Sequence, residues 1–216
     1  MIEHETQYIP IFPTMLTRTR APTSIVDDAL FEKVLDIEWT DHLGKQPGNN
    51  NGLLSISNNV LEDYDFLENL KIWLNVQVIN AFDKWGLVNT ATPYITQSWF
   101  TKTNIGQDIH RHNHPNSLMS GVVYIKANEN TDHLYLSKPY VYQNLNFITQ
   151  QENEFNSQTV KCTVSTGDLI MFPSNLEHWF DSVEHDEIRI SLAFNTFIEG
   201  YLGDKIKLTH LPLKAK

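Results

Sequence analysis

Three of the nine histidines fall within five residues, at His110, His112 and His114. On an extended strand, positions i, i+2 and i+4 point to one face, so HxHxH sets imidazoles side by side, a geometry that suits metal coordination. A lone histidine on a strand is ordinarily just a satisfied polar residue, so the cluster needs a distant group to complete it. His178 is the candidate. It follows a turn at Gly167-Asp168, an apolar run from Leu169 to Phe172, and Pro173, which ends that run; His178 then opens the next strand after a short bend. Eleven residues further on lies Arg189, inside the apolar alternation Ile188, Ile190, Leu192, Phe194. An arginine among core residues is costly to bury without an anion. A carboxylate-bearing ligand would supply one, and so would an internal salt bridge to Asp or Glu.

The elements that must position these side chains divide into two regions. The first 90 residues read as mainly helical. Ser24 with Asp27 three residues on predicts a capped helix whose apolar positions Val26, Leu30, Val34 and Ile37 recur at helical spacing, ending near Trp39. After the turn-rich Gly48 to Gly52, the positions Leu67, Leu70, Leu74, Val78 and Phe82 predict a longer amphipathic helix from about Val60 to Trp85, with Gly86 as its stop. From Thr92 the pattern changes to short β-rich runs: Tyr94 to Lys102, Leu118 to Lys126, His133 to Ser137, Thr159 to Val164, Asp168 to Phe172, His178 to Val183 and Ile188 to Phe197. Strands at this spacing predict a sandwich, barrel or jelly roll, and a jelly roll folds the two halves of the chain over one another, which can bring His178 to the HxH pair. Tyr142 to Gln158 reads as a long polar loop over one mouth.

Composition sets outer limits. The chain has 216 residues, 41% hydrophobic and 11% aromatic, enough for a sizeable core in a single domain over 1–216. With 16 basic against 26 acidic residues, a net charge of -10 repels nucleic acid and anionic lipid, so general nucleic-acid binding and membrane association are not expected. The single Cys162 cannot form an intramolecular disulfide, and the first residues lack a signal-peptide pattern. A reducing cytoplasm is the expected compartment.

The pattern resembles the iron(II)- and 2-oxoglutarate-dependent oxygenases, whose double-stranded β-helix carries HxD/E, a distant His and an Arg about ten residues later. More narrowly, it is similar to the 2OG-Fe(II) oxygenase family found in marine bacteria and their phages, on the prolyl hydroxylase-like side. The residues that carry the likeness are Ser98, Trp99, Asn104, Gly106, His112-Asn113-His114-Pro115, Ser120-Gly121-Val122-Val123-Tyr124, Gly167-Asp168, Phe172-Pro173-Ser174, His178 and Arg189-Ile190-Ser191, with Ile11-Phe12-Pro13-Thr14 at the start. The resemblance implies a mainly β (α+β) fold, a jelly-roll core over about 92–200 with supporting helices in about 1–90. It implies Fe(II) held by His112, His114 and His178, and 2-oxoglutarate and O2 as co-substrates, with Arg189, Ser191, Asn104 and Tyr124 on the 2-oxoglutarate side. The implied reaction is hydroxylation of a C–H bond, with a protein or peptide residue such as proline as the favoured substrate class; a homodimer is a further expectation.

One position departs from that family. The usual triad has two histidines and a carboxylate, and His114 stands where the carboxylate belongs. Asp108 or Asp132 could substitute from elsewhere, and His110 could displace His112 in the register. If only imidazoles bind the iron, affinity is expected to fall as pH drops through about 6.5. The alternative is a metal-binding cupin module without oxygenase activity: Gly106 with His112 and His114, and Gly167 with Pro173 and His178, match parts of the cupin motifs. The glutamate such a site expects is missing, and a cupin has no standing need for Arg189.

Overall fold

The computed structural model describes residues 7, 9–10, 12–41, 51–87, 90–137, 151, 153 and 155–213. The strands are β1 (Thr17–Arg20), β2 (Trp39–Asp41), β3 (Leu53–Ser55), β4 (Ala91–Thr103), β5 (Ile109–His112), β6 (Met119–Lys126), β7 (His133–Ser137), β8 (Thr159–Thr163), β9 (Asp168–Pro173), β10 (Glu177–Phe180), β11 (Arg189–Leu202) and β12 (Leu211–Leu213). The helices are α1 (Asp28–Leu35), α2 (Val60–Asp63) and α3 (Glu68–Trp85). Two antiparallel sheets face each other. The larger runs β1-β9-β6-β11-β4-β3-β2, with β12 on β11, and the smaller runs β5-β10-β7-β8. This is the expected jelly-roll core, mainly β with helices at the N-terminal side.

Alternation along the long central strands separates two cores. On β11, Ile190, Leu192, Phe194 and Ile198 point outward to the helices, while Ala193 belongs to the core between the sheets. α3 lays Leu70, Leu74, Val78, Ala81 and Phe82 on that outer face, the i, i+4 stripe expected from the sequence. It ends where Gly86 takes φ 87°, a left-handed cap available to glycine without strain. Gly121 matters for a different reason: a Cβ there would lie 2.2 Å from Cζ of Phe194, so the ring of β11 fills the space that a side chain on β6 would need.

Several N-terminal expectations need correction. α1 is capped by Asp27, whose carboxylate accepts the Leu30 N–H at 2.7 Å, not by Ser24. The helix expected from Val60 is broken at Tyr64, whose backbone is extended, into α2, a 3-10 turn at Asp65–Leu67 and α3. The region also contributes strands β1, β2 and β3 to the larger sheet, which short runs such as TRTR and LLS do not announce. The stretch Tyr142 to Gln158 lies for the most part outside the described residues. Among the described residues no helix is long and apolar enough to cross a membrane.

The Gly167-Asp168 element clasps the edge strand β1. Asp168, 2% exposed, accepts from Arg18 Nη2 at 2.6 Å, from Arg20 Nε at 2.9 Å and from the Ser165 N–H at 3.0 Å. Burial pushes the carboxyl up, but these bonds outweigh it and hold the group below the ordinary carboxylate range. Because the folded value is the lower one, the contribution to stability is complete above about pH 4 and is lost as pH falls through the folded value. Asp168→Asn is expected to cost about 1–3 kcal/mol in urea unfolding at neutral pH, a difference that shrinks in acid; equal stability of the two proteins at neutral pH would contradict the clasp.

Candidate metal centre

β5 and β10 pair antiparallel in a register that sets His112 opposite His178. Opposed residues in such a pair have Cβ atoms about 4.5–5.5 Å apart, and here the two rings lie with centroids 4.3 Å apart. β5 ends at His112, so the three histidines do not share one strand as the alternation suggested. His114 is carried by the following loop, whose position is fixed where the His114 N–H donates to the Ser174 carbonyl at 3.0 Å, just past β9. Its ring is then 5.1 Å from that of His112 and 4.8 Å from that of His178. One ring nitrogen from each of His112, His114 and His178 falls within 4.8 Å of the others. His110 is exposed and outside this group, and neither Asp108 nor Asp132 joins it.

The hydrogen bonds at the other ring nitrogens assign the tautomers. His112 Nδ1 is 2.7 Å from the His110 carbonyl and His178 Nδ1 is 3.4 Å from the Leu176 carbonyl. A carbonyl only accepts, so both Nδ1 atoms carry the proton. His114 Nδ1 meets Ser120 Oγ at 2.8 Å, and that hydroxyl donates onward to Asn195 Oδ1 at 2.9 Å, so His114 Nδ1 is a donor as well. All three Nε2 atoms therefore present lone pairs. Those of His112 and His114 are 3.2 Å apart, which leaves two acceptors facing each other with no proton between them. That spacing is the edge of a coordination shell with metal–nitrogen bonds of about 2.1 Å, so a divalent cation fits the donor set.

Burial prepares the ligands further. Desolvation, followed by the charge of His112, pulls His114 down to about 4 and His178 to about 2. The expectation that protonation competes with the metal near pH 6.5 is thus corrected for these two rings, which stay neutral well below that value. Trp99 packs edge-on to His114 at 5.5 Å and, with Ile109, Phe180 and Ala193, walls a cavity of about 40 Å³ over the histidines, room for a few water molecules. Ser191 also lines it. Asn104 does not: its N–H and side-chain amide are both engaged with Gln107 Oε1 in a turn.

Arg189 is buried at the other side of Phe180, its guanidinium 4.7 Å from the ring centroid. Its Nε donates to Thr103 Oγ1 at 3.0 Å and its Nη1 to Asp132 Oδ1 at 3.2 Å. The internal ion pair that the sequence left open therefore exists. Asp132 is its partner, not a metal ligand. Nevertheless Arg189 Nη2 and Tyr124 Oη are buried without a hydrogen-bond partner. Burial holds the Tyr124 hydroxyl well above the ordinary tyrosine range, so it stays protonated. Two unpartnered donors inside the barrel fit a carboxylate.

The fold is a jelly-roll core in which three imidazoles converge on one point and could hold a metal ion, with an arginine buried in the other sheet. Residues 97–195, from β4 into β11, match the model of the family described as "Putative 2OG-Fe(II) oxygenase". The cofactors of that family are those of its description, iron(II) and 2-oxoglutarate, with dioxygen as the oxidant. No curated protein sequence matches the chain. Among solved structures the fold is similar to the non-heme α-ketoglutarate-dependent epimerase SnoN from nogalamycin biosynthesis (TM-score 0.64, 9% identity, 85% of this chain and 78% of that one). It is also similar to HygX from Streptomyces hygroscopicus with nickel and 2-oxoglutarate bound (0.57, 9%, 85% and 82%) and to a Pseudomonas putida prolyl-4-hydroxylase (0.56, 11%, 84% and 92%).

Partners that hold a ligand's far nitrogen typically carry 10–100-fold in metal affinity. Ser120→Ala, which frees His114 Nδ1, is expected to weaken iron(II) binding by about that factor in anaerobic calorimetry. His110→Ala keeps the carbonyl that orients His112 and should leave the affinity within about threefold. Reversed effects would place the metal on His110 and His112 instead.

Proposed function

We propose that this chain is an iron(II)- and 2-oxoglutarate-dependent dioxygenase that hydroxylates a C–H bond of a peptidyl side chain, proline being the first candidate. The observation that carries the reading is the pairing, inside one barrel, of three Nε2 lone pairs with the two unpartnered donors Arg189 Nη2 and Tyr124 Oη. His112, His114 and His178 would hold the iron. Arg189 and Tyr124 would anchor the distal carboxylate of 2-oxoglutarate, with Ser191 on the wall between them and the metal. Iron, when bound, supplies coordination positions for the 2-oxo acid and dioxygen and the redox chemistry of oxygen transfer.

The chain's own contribution is orientation and dryness. Nδ1 partners fix each imidazole so that Nε2 faces the centre, which limits reorganisation on loading. Trp99, Ile109, Phe180 and Ala193 keep bulk water from the reacting bond. Replacing the usual carboxylate by His114 leaves the loaded site one charge more positive, which favours an anionic bidentate co-substrate. The peptidyl class is supported by the fold likeness to a prolyl-4-hydroxylase; the likeness to an epimerase is equally a matter of fold.

A second reading, a metal-binding module without turnover, has one observation in its favour: Asp132 already neutralises Arg189. Succinate release from 2-oxoglutarate by the iron-loaded protein, with and without proline-containing peptides, separates the two. Release that depends on iron and rises with a peptide supports the dioxygenase; metal binding with neither binding nor consumption of 2-oxoglutarate contradicts it. Arg189→Lys is expected to raise the 2-oxoglutarate dissociation constant at least about tenfold, near 1.4 kcal/mol, while iron affinity stays unchanged, because an ammonium cannot reproduce the planar fork. An unaltered 2-oxoglutarate affinity would remove Arg189 from the site.

A further inference from the structure

The inner face of the β4–β11 pair continues past the metal centre. Arg189 with Thr103, Ser191 with Thr101, Ala193 with Trp99 and Asn195 with Gln97 are alternate rungs of that ladder, so they share one side of the sheet. Ser191, Thr101, Ala193 and Trp99 line the cavity over the histidines. Asn195 and Gln97, one rung further from Arg189, line a separate open groove of about 470 Å³, within the range of about 300–1,000 Å³ usual for ligand sites. Pro115 and Asn116, directly after His114, line it too. The groove thus adjoins the histidines on the side away from Arg189.

Among the described residues, none that lines this groove is charged. An anionic metabolite or a nucleotide would find no counter-charge there. What the groove offers instead is carboxamides and rings. Gln97 and Asn195 are cross-strand partners, which sets their Cβ atoms about 4.5–5.5 Å apart, and Asn116 adds a third amide. Asn195 spends its Oδ1 on Ser120 Oγ and keeps its N–H donors available, while the side chains of Gln97 and Asn116 make no hydrogen bond among the described residues. Each carboxamide carries a donor and an acceptor, as a peptide unit does. Tyr94 and Phe197, paired beyond the bulge in the same two strands, add apolar surface.

We propose that this groove is the primary-substrate site and that it takes an uncharged, extended peptide segment. Main-chain amides of the segment pair with Gln97 and Asn195, its apolar side chains lie against Tyr94 and Phe197, and the reacting residue turns past Trp99 toward the histidines. This rests on the dioxygenase reading and narrows its substrate class, since the residues flanking the target carry no charge. Asn195 has a second part. Its Oδ1 accepts from the hydroxyl that backs His114, so a peptide held on Asn195 is connected to a metal ligand through two hydrogen bonds.

The test equilibrates the iron(II)- and 2-oxoglutarate-loaded protein, without oxygen, with pools of end-capped, proline-containing tetrapeptides and identifies the retained peptides by mass spectrometry after ultrafiltration. One pool is uncharged, one carries a lysine and one a glutamate. The uncharged pool should be held at least about tenfold more tightly than either charged pool, because a charge in the groove goes unpaired. Gln97→Glu keeps the size and an acceptor but adds a negative charge, so the ratio of lysine to glutamate peptides retained should rise at least about tenfold. Gln97 is exposed, and a loss of fold would lower all pools together rather than reorder them. Equal retention of charged and uncharged pools, a ratio unchanged in Gln97→Glu, or retention of no peptide overturns this inference and leaves the dioxygenase reading standing. Absence of 2-oxoglutarate binding, measured first on the iron(II)-loaded protein, overturns both.

Discussion

Two imidazole lone pairs held 3.2 Å apart repel each other, and much of this architecture serves to keep them there. The β5–β10 register sets His112 against His178, and a main-chain bond from His114 to Ser174 draws the third ring across from its loop. Carbonyls and a serine hydroxyl then fix all three protons on the Nδ1 side. Without a cation the arrangement costs free energy, since two acceptors face each other with no proton between them. With one, the same preorganisation becomes binding energy. The polar chain Ser120, Ser174, Ser117 and Asn195 behind His114 serves the same end: it gives an imidazole, in place of a carboxylate, a rigid backing of its own.

Charge is arranged with similar economy at the arginine side. Arg189 sits under Phe180, held by Thr103 and Asp132, with one guanidinium nitrogen still unpartnered. An ion pair so deeply buried is weak evidence for stability, since desolvation offsets much of the attraction. Its more instructive property is that it leaves the pocket electrically balanced before the co-substrate enters. The three-imidazole centre is correspondingly one charge more positive than a two-histidine, one-carboxylate site. Under the proposed function, both departures would alter how an anion is received, one at each end of a dicarboxylate.

The central strands and the three converging histidines are legible because each leaves a local trace. His133–Ser137 is bounded as its alternation predicts, and β6, β9 and β11 carry runs of buried Val, Ile, Leu and Phe that only a two-sided core explains. HxH with a distant histidine and an arginine marked the centre, and the order of motifs completed the likeness. What stayed hidden is non-local. β1 to β3 are three- or four-residue strands stabilised by pairing, β1 on β9, β3 on β4 and β2 on β3, not by their own pattern. That His114 lies off the strand depends on Ser174, sixty residues away. Asp132 as the partner of Arg189 is a contact across 57 residues, and nothing in the run Asn130-Thr131-Asp132 distinguishes it from a turn acid. Asp168 alone could have been suspected, as the acid after a glycine turn facing the alternating arginines Arg18 and Arg20.

The claim on which the rest turns is that three imidazoles, and no carboxylate of the chain, hold the metal. X-ray absorption at the iron edge of the anaerobic, iron(II)-loaded protein measures this directly. The account predicts three imidazoles, recognisable by scattering from their outer ring atoms, with nitrogens at about 2.1 Å, and the loss of one in His114→Ala. A spectrum with two imidazoles, unchanged in His114→Ala, would contradict it.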